Sequence, residues 1–174
     1  ATHNTKSDPA ISIKISRRVC IHFSFRYGRR ASLKNIIGSP IRIAVKVAPY
    51  CMKLTGIDIS PKTIERAREN LKDYSNICFV CGDFNEYGFV EPFDVIYSSL
   101  TMMHFKDKKQ VILKVAALLN DGGIFCLSID KNQSEYIDMG TRKVKIYPDT
   151  PDNIISLIDA SSMNVANVFE TDNA

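Results

Sequence analysis

Met52-Lys53-Leu54-Thr55-Gly56-Ile57-Asp58-Ile59-Ser60-Pro61 is the stretch on which the reading of the chain turns. Residues 52–59 form a short, largely apolar run suited to a strand, and its one acid, Asp58, stands near the end of that run. Ser60-Pro61 opens a helix: a serine side chain accepts a free N–H of the first turn, and proline fits the first helical position, where no donor is needed. Ile64, Ala67 and Leu71 then recur at helical spacing, with Glu65, Arg66, Arg68, Glu69 and Lys72 covering the other face. The sequence therefore predicts a strand followed by a surface helix.

Downstream the pattern repeats. Asn76 to Cys81 reads as a strand ending in Gly82-Asp83, and Phe93 to Ser98 as another after the Pro92 break. Lys108 to Leu119 reads as a helix through Val111, Ile112, Val115, Leu118 and Leu119, stopped by Asn120-Asp121-Gly122-Gly123, and Ile124 to Ile129 is the next strand. Residues 152–161 carry a further helical stripe, and Asn164 to Phe169 is expected as a last strand. Continuous apolar strands alternating with helices predict an α/β fold of the Rossmann-like, doubly wound kind, with a mostly parallel sheet covered on both faces.

Upstream the texture changes. Residues 1–50 hold ten Lys/Arg and one acid, Asp8, whereas residues 51–174 hold thirteen Lys/Arg and eighteen Asp/Glu, so charges of +9 and −5 make up the net +4. Ile11, Ile13 and Ile15, then Ile21, Phe23, Phe25 and Tyr27, then Ile41, Ile43, Val45 and Val47 alternate with polar residues in the manner of half-exposed strands. Residues 41–48 nevertheless occupy the place where strand-helix alternation calls for a helix, and a helix is expected there. Residues 1–35 are set apart as a basic N-terminal segment, and 36–174 as the folded domain.

A chain of 174 residues that is 45% hydrophobic can bury one sizeable core. No run of apolar residues is long enough to cross a membrane, and the polar opening Ala1 to Lys6 does not read as a secretory signal, so a cytoplasmic protein without a membrane partner is expected. Five cysteines scattered through apolar runs suit buried thiols of a reducing compartment. Cys78 and Cys81 share the spacing of half a zinc or redox site, but in a strand they point to opposite faces, and no second pair or His cluster answers them. They are expected as packed core thiols, and no metal site is expected.

In a doubly wound sheet, ligands bind beyond the carboxyl ends of the strands. The side chains to weigh there are Asp58, Asp83 and the run Ser98-Ser99-Leu100-Thr101-Met102-Met103-His104-Phe105. A carboxylate at the end of the first clear strand can accept hydrogen bonds from both vicinal hydroxyls of a ribose, although an Asp in that place also serves as a helix cap. Asp83 could receive the exocyclic amine of an adenine while the backbone of Phe84 meets the ring edge. His104, with a pKa near neutrality, could act as general base toward an acceptor, or simply pack at a loop.

LTGIDIS (54–60), CGDFNE (81–86), FDVIYSSLTMMHF (93–105) and LLNDGGIFCLSI (118–129), in that order and spacing, resemble the successive motifs of class I S-adenosyl-L-methionine (SAM)-dependent methyltransferases of the small-molecule kind. The resemblance spans roughly residues 36–170. It implies a seven-stranded sheet with SAM across the strand ends. Asp58 would hold the ribose hydroxyls and Asp83 the adenine amine, with Ile59 and Phe84 flanking the base and Ser98 below the methionine part. The family opens with an apolar strand and a GxGxG loop, and here only Gly38 of Ile36-Ile37-Gly38-Ser39-Pro40-Ile41-Arg42 answers to that loop. The fold is thus expected to be incomplete at this motif and at the last strand, since the family closes with two antiparallel strands and residues 164–169 supply one.

The function expected from these residues is transfer of a methyl group from SAM to a small-molecule acceptor. The degenerate glycine loop keeps a second reading open, a catalytically impaired methyltransferase-like binding or interaction module, because side chains there impede close approach of a ligand. A nicotinamide dinucleotide site would need G-x-G-x-x-G before Asp58, which the sequence lacks. No Asn-Pro-Pro-Tyr-like tetrapeptide follows the Asp94 strand, so a nucleic-acid partner is not expected despite the basic segment.

Overall fold

The structure, a computed structural model, describes residues 18–22, 40–138, 140 and 142–170. In chain order its elements are β1 (Arg18–His22), α1 (Pro40–Val47), β2 (Lys53–Asp58), α2 (Pro61–Asn70), β3 (Ile77–Cys81), β4 (Phe93–Ser99), α3 (Lys108–Leu118), β5 (Leu119–Ser128), β6 (Tyr136–Asp138), β7 (Lys143–Lys145) and α4 (Pro151–Asp159). Short 3-10 turns follow α1 at Ala48–Tyr50 and β4 at Met102–His104.

The strands lie in the order β3-β2-β1-β4-β5, and every neighbouring pair is parallel. The chain builds outward from β1 to one side, then crosses back to lay β4 and β5 on the other. That reversal beside β1 opens a crevice at the carboxyl ends of the strands, where this class of sheet holds its ligands. β6 and β7 form a separate antiparallel hairpin. The expected doubly wound parallel sheet is what the chain forms, with α1 in the place where alternation called for a helix.

Alternation along each strand divides the core in two. Leu54 of β2 packs with Ala44, Ala48, Ala67 and Leu71 on the α1 and α2 face. Ile57, three residues on, faces the other way and packs with Ile96, Val111, Ile112, Val115 and Ile154 on the α3 and α4 face. Leu54 through Asp58 are all buried, as an interior strand requires. The Ser60 hydroxyl accepts from Thr63 N, so the Ser-Pro pair opens α2 as its chemistry dictates.

β1 comes from within residues 1–35, so the sheet draws on both sides of the boundary set at residue 36. A central strand is covered on both sides by helices, yet Arg18-Val19-Cys20-Ile21-His22 lacks the continuous apolar character that such strands ordinarily show.

The expected strand at 164–169 is not formed. These residues join no ladder, and Val168 and Phe169 are exposed. A strand exists only through hydrogen bonds to a neighbour, and among the described residues none offers this segment a partner. It is held at its far end by a surface ion pair between Lys131 and Glu170.

The expectation of packed core thiols is also overturned. Cys78 and Cys81 lie on β3 and Cys126 on β5, the two outer strands, and all three are exposed, while Cys51 is half-buried. Apolar runs at sheet margins are covered less than those inside. Cys78 and Cys81 are accordingly expected to react first with a thiol-alkylating reagent at neutral pH. Cys51 should lag, because burial pushes its thiol pKa up and its Sγ donates to the Ala48 carbonyl. Peptide mapping after timed alkylation measures the order, and early modification of Cys51 would contradict the packing around it.

Candidate functional site

Asp58 is the last residue of β2 and is 2% exposed. Its Oδ1 accepts from the Ser60 backbone N–H at 2.6 Å, so the turn into α2 fixes the carboxylate at the strand tip. Ile59, the next residue, is exposed. Across the ladder Asp58 faces Cys81, and Gly82 N donates to the Asp58 carbonyl at 3.0 Å. That bond ties the exits of β2 and β3 together, and Asp83 follows immediately.

Asp83 organises the next loop. Its Oδ1 accepts from Asn85 N at 2.7 Å, and its carbonyl accepts from Glu86 N and Tyr87 N. The following Phe84 ring is buried 5.6 Å from the Phe89 ring, which meets Phe93 edge-on. Phe84 thus roots the loop in the core. Its ring is therefore closed to solvent, and only the backbone of Phe84 borders the exit of β3.

At the end of β4, Ser98 is buried, and its Oγ finds no hydrogen-bond partner among the described residues. It borders a void of about 10 Å³ with Phe84, Ile96 and Phe125. Leu100, just beyond, has φ of 51°, a left-handed conformation that costs a residue with a Cβ about 1–2 kcal/mol. Its N–H is held by the Ser128 carbonyl at 3.0 Å, and the Ser128 hydroxyl donates to Ser99 Oγ at 2.9 Å. Strain held by such bonds is commonly found where a chain turns around a site. The chain then enters the 3-10 turn ending at half-buried His104, whose N–H donates to the Thr101 carbonyl.

A wall rises beside that turn. Tyr147 N donates to the Met103 carbonyl at 2.7 Å, and Lys108 Nζ donates to the Tyr147 carbonyl at 2.8 Å. The same ammonium meets Asp149 Oδ2 at 3.3 Å, and both side chains are about nine-tenths buried. Residues 143–150 are thereby fastened to the head of α3. Residues 145–149 of this segment line an open cleft of about 890 Å³ with Lys106, Glu135 and Leu157 among its other borders. The cleft shares no lining residue with Asp58, Asp83 or Ser98.

Asp58, Ile59, Asp83, Phe84, Ser98 and His104 all fall at or just beyond the carboxyl ends of β2, β3 and β4. Gly38 lies outside the described residues. Lys108 and Asp149 escaped the sequence reading, as did the left-handed conformation of Leu100 within the run already singled out. A leucine in a left-handed turn leaves no compositional trace, and a lysine and an aspartate 41 positions apart, 108 and 149, look like two surface charges.

A family profile described as a methyltransferase domain matches residues 41–171. Nodulation protein S of Rhizobium fredii is 29% identical over 92 residues, covering 50% of this chain and 53% of that protein. Malonyl-[acyl-carrier protein] O-methyltransferase of Anoxybacillus flavithermus is 37% identical over 71 residues, covering 41% of this chain and 27% of that protein. The chain thus spans about half the length, or less, of the curated relatives it matches. Among solved structures, the N-methyltransferase NodS from Bradyrhizobium japonicum WM9 in complex with S-adenosyl-L-homocysteine superposes with a TM-score of 0.50. It is 23% identical, over 64% of this chain and 52% of that one, a likeness of fold.

Proposed function

Since the chain belongs to the methyltransferase domain family, of the class I SAM-dependent type, we propose that it binds SAM across the carboxyl ends of its strands and transfers the methyl group to a small-molecule acceptor in the cytoplasm. The observation that carries this reading is the buried Asp58 carboxylate at the tip of β2, whose residue also ties to the exit of β3 through its main-chain carbonyl and Gly82 N.

The residues present fit such a cofactor. A carboxylate fixed by the Ser60 N–H can accept both hydroxyls of a ribose, a geometry that discriminates against ligands without a vicinal diol. Asp83 stands one strand over, where it can accept an N–H from the amine of an adenine, with the Phe84 backbone beside the ring edge. Ser98 Oγ supplies a buried hydroxyl below the methionine part. When bound, SAM brings a methyl group activated by its sulfonium, which leaves on direct attack.

The protein's own contribution is then chiefly positioning. The loop from Leu100 to Phe105 and the wall at 143–150 would orient the acceptor and exclude water from it. His104 would hold or take the proton that an oxygen or nitrogen nucleophile gives up.

Calorimetric titration of the full chain with SAM and with S-adenosylhomocysteine tests the reading. Binding in the micromolar range is expected for both. No heat at millimolar ligand would leave a methyltransferase fold without its cofactor site, as the impaired binding module would be.

A further inference from the structure

Lys114 sits on α3, yet its ammonium is spent on the loop that follows β3. Nζ donates to the Asn85 carbonyl at 2.8 Å and to the Tyr87 carbonyl at 2.8 Å. It also lies 5.5 Å from the centre of the Phe84 ring and 5.8 Å from that of Phe89. An ammonium has three donors and favours the faces of aromatic rings, so this loop satisfies two of those donors and supplies two ring contacts.

All four contacts belong to the turn that Asp83 opens. Asp83 Oδ1 and carbonyl hold the N–H groups of Asn85, Glu86 and Tyr87, while Lys114 holds the carbonyls of Asn85 and Tyr87. The turn is thus gripped at its donors by an anion and at its acceptors by a cation. The two charges also sense one another: burial draws the Lys114 pKa down, and the Asp83 carboxylate pushes it back up.

We propose that Lys114 is a positioning residue for purine recognition. It fixes the turn so that the Asp83 carboxylate stands where it accepts an N–H from the exocyclic amine of a 6-aminopurine. This rests on the nucleoside reading above and extends it from a residue at the site to one behind it. Lys114 itself need not touch the ligand. Its role is to make the site choose adenine over a purine without the amine.

The test compares the full chain with Lys114→Met and Lys114→Arg in titrations with S-adenosylhomocysteine, adenosine and purine riboside, which lacks the 6-amino group. The wild type is expected to prefer adenosine to purine riboside. Lys114→Met should bind S-adenosylhomocysteine about tenfold more weakly, the size of one charge-assisted hydrogen bond, and its preference between the two nucleosides should collapse. Lys114→Arg, which keeps the charge and donors, should restore most of both. A lysine that only stiffens the fold would lower the melting temperature without touching that preference, so a retained preference in Lys114→Met overturns the proposal. Should Lys114→Met not fold, Lys114→Gln, which keeps a donor without the charge, carries the same comparison. A wild type that binds none of the three ligands refutes the nucleoside site itself, a result separate from any change seen only in the variants.

Discussion

Asp58→Ala is expected to weaken S-adenosylhomocysteine binding by about a hundredfold or more. The two ribose hydrogen bonds proposed for this carboxylate would each contribute about 1.5–3 kcal/mol, and every 1.4 kcal/mol is about tenfold. The fold should survive, because the carboxylate is buried at 2% exposure and keeping an anion there is itself costly. Asp58→Asn separates charge from shape. It retains an oxygen for the Ser60 N–H, so α2 should begin where it does now, while cofactor affinity falls by an intermediate amount. Isothermal titration beside thermal melting gives both numbers. Unchanged affinity in Asp58→Ala would remove the ribose assignment, and a collapse of the melting transition would make Asp58 a fold residue first.

The second large effect is expected far from that carboxylate. Asp149→Ala should destabilise the protein by about 3–5 kcal/mol, the range for removing one partner of a buried ion pair. Asp149 accepts from Thr150 N and Asn153 Nδ2 as well as facing Lys108, so its loss leaves the ammonium with the Tyr147 carbonyl and also loosens the start of α4. A double replacement, Lys108→Met with Asp149→Leu, should recover much of the loss, since apolar groups of similar size need no partner. Urea denaturation measures both. A loss below about 1 kcal/mol in Asp149→Ala, the value of an exposed pair, would mean that the 143–150 wall is not anchored there.

Much of this architecture was legible because its local signals agree with its topology. The β2-to-α2 passage announces itself through Ser60-Pro61, and α3 through its apolar spacing. Asp58 and Asp83 could be singled out because a charged residue at the end of an apolar run needs a reason. What escaped is governed by neighbours and not by local pattern. β1 is Arg18–His22, a stretch whose own composition does not say that it will lie at the middle of a sheet. Residues 164–169 have strand-forming side chains but no ladder to join, and composition cannot report a missing neighbour. Cys78, Cys81 and Cys126 read as buried because their runs are apolar, whereas their exposure follows from strand order, which only the assembled sheet sets. Lys114 carries no local mark in its helix, because its contacts lie with a turn almost thirty residues earlier.

The junction of α3 and β5 has a consequence of its own. The helix ends at Leu118 and the strand begins at Leu119, and the ladder then steps from Phe93–Leu119 to Val95–Ile124, so β5 takes up its slack within the strand. Gly122 turns with φ of 71°, and a Cβ on Gly123 would lie 2.8 Å from the Asn120 carbonyl oxygen. A single methyl group at position 123 therefore has nowhere to go except by prying the carbonyl aside. A library randomised across this joint would return glycine there, whatever the surrounding codons allow.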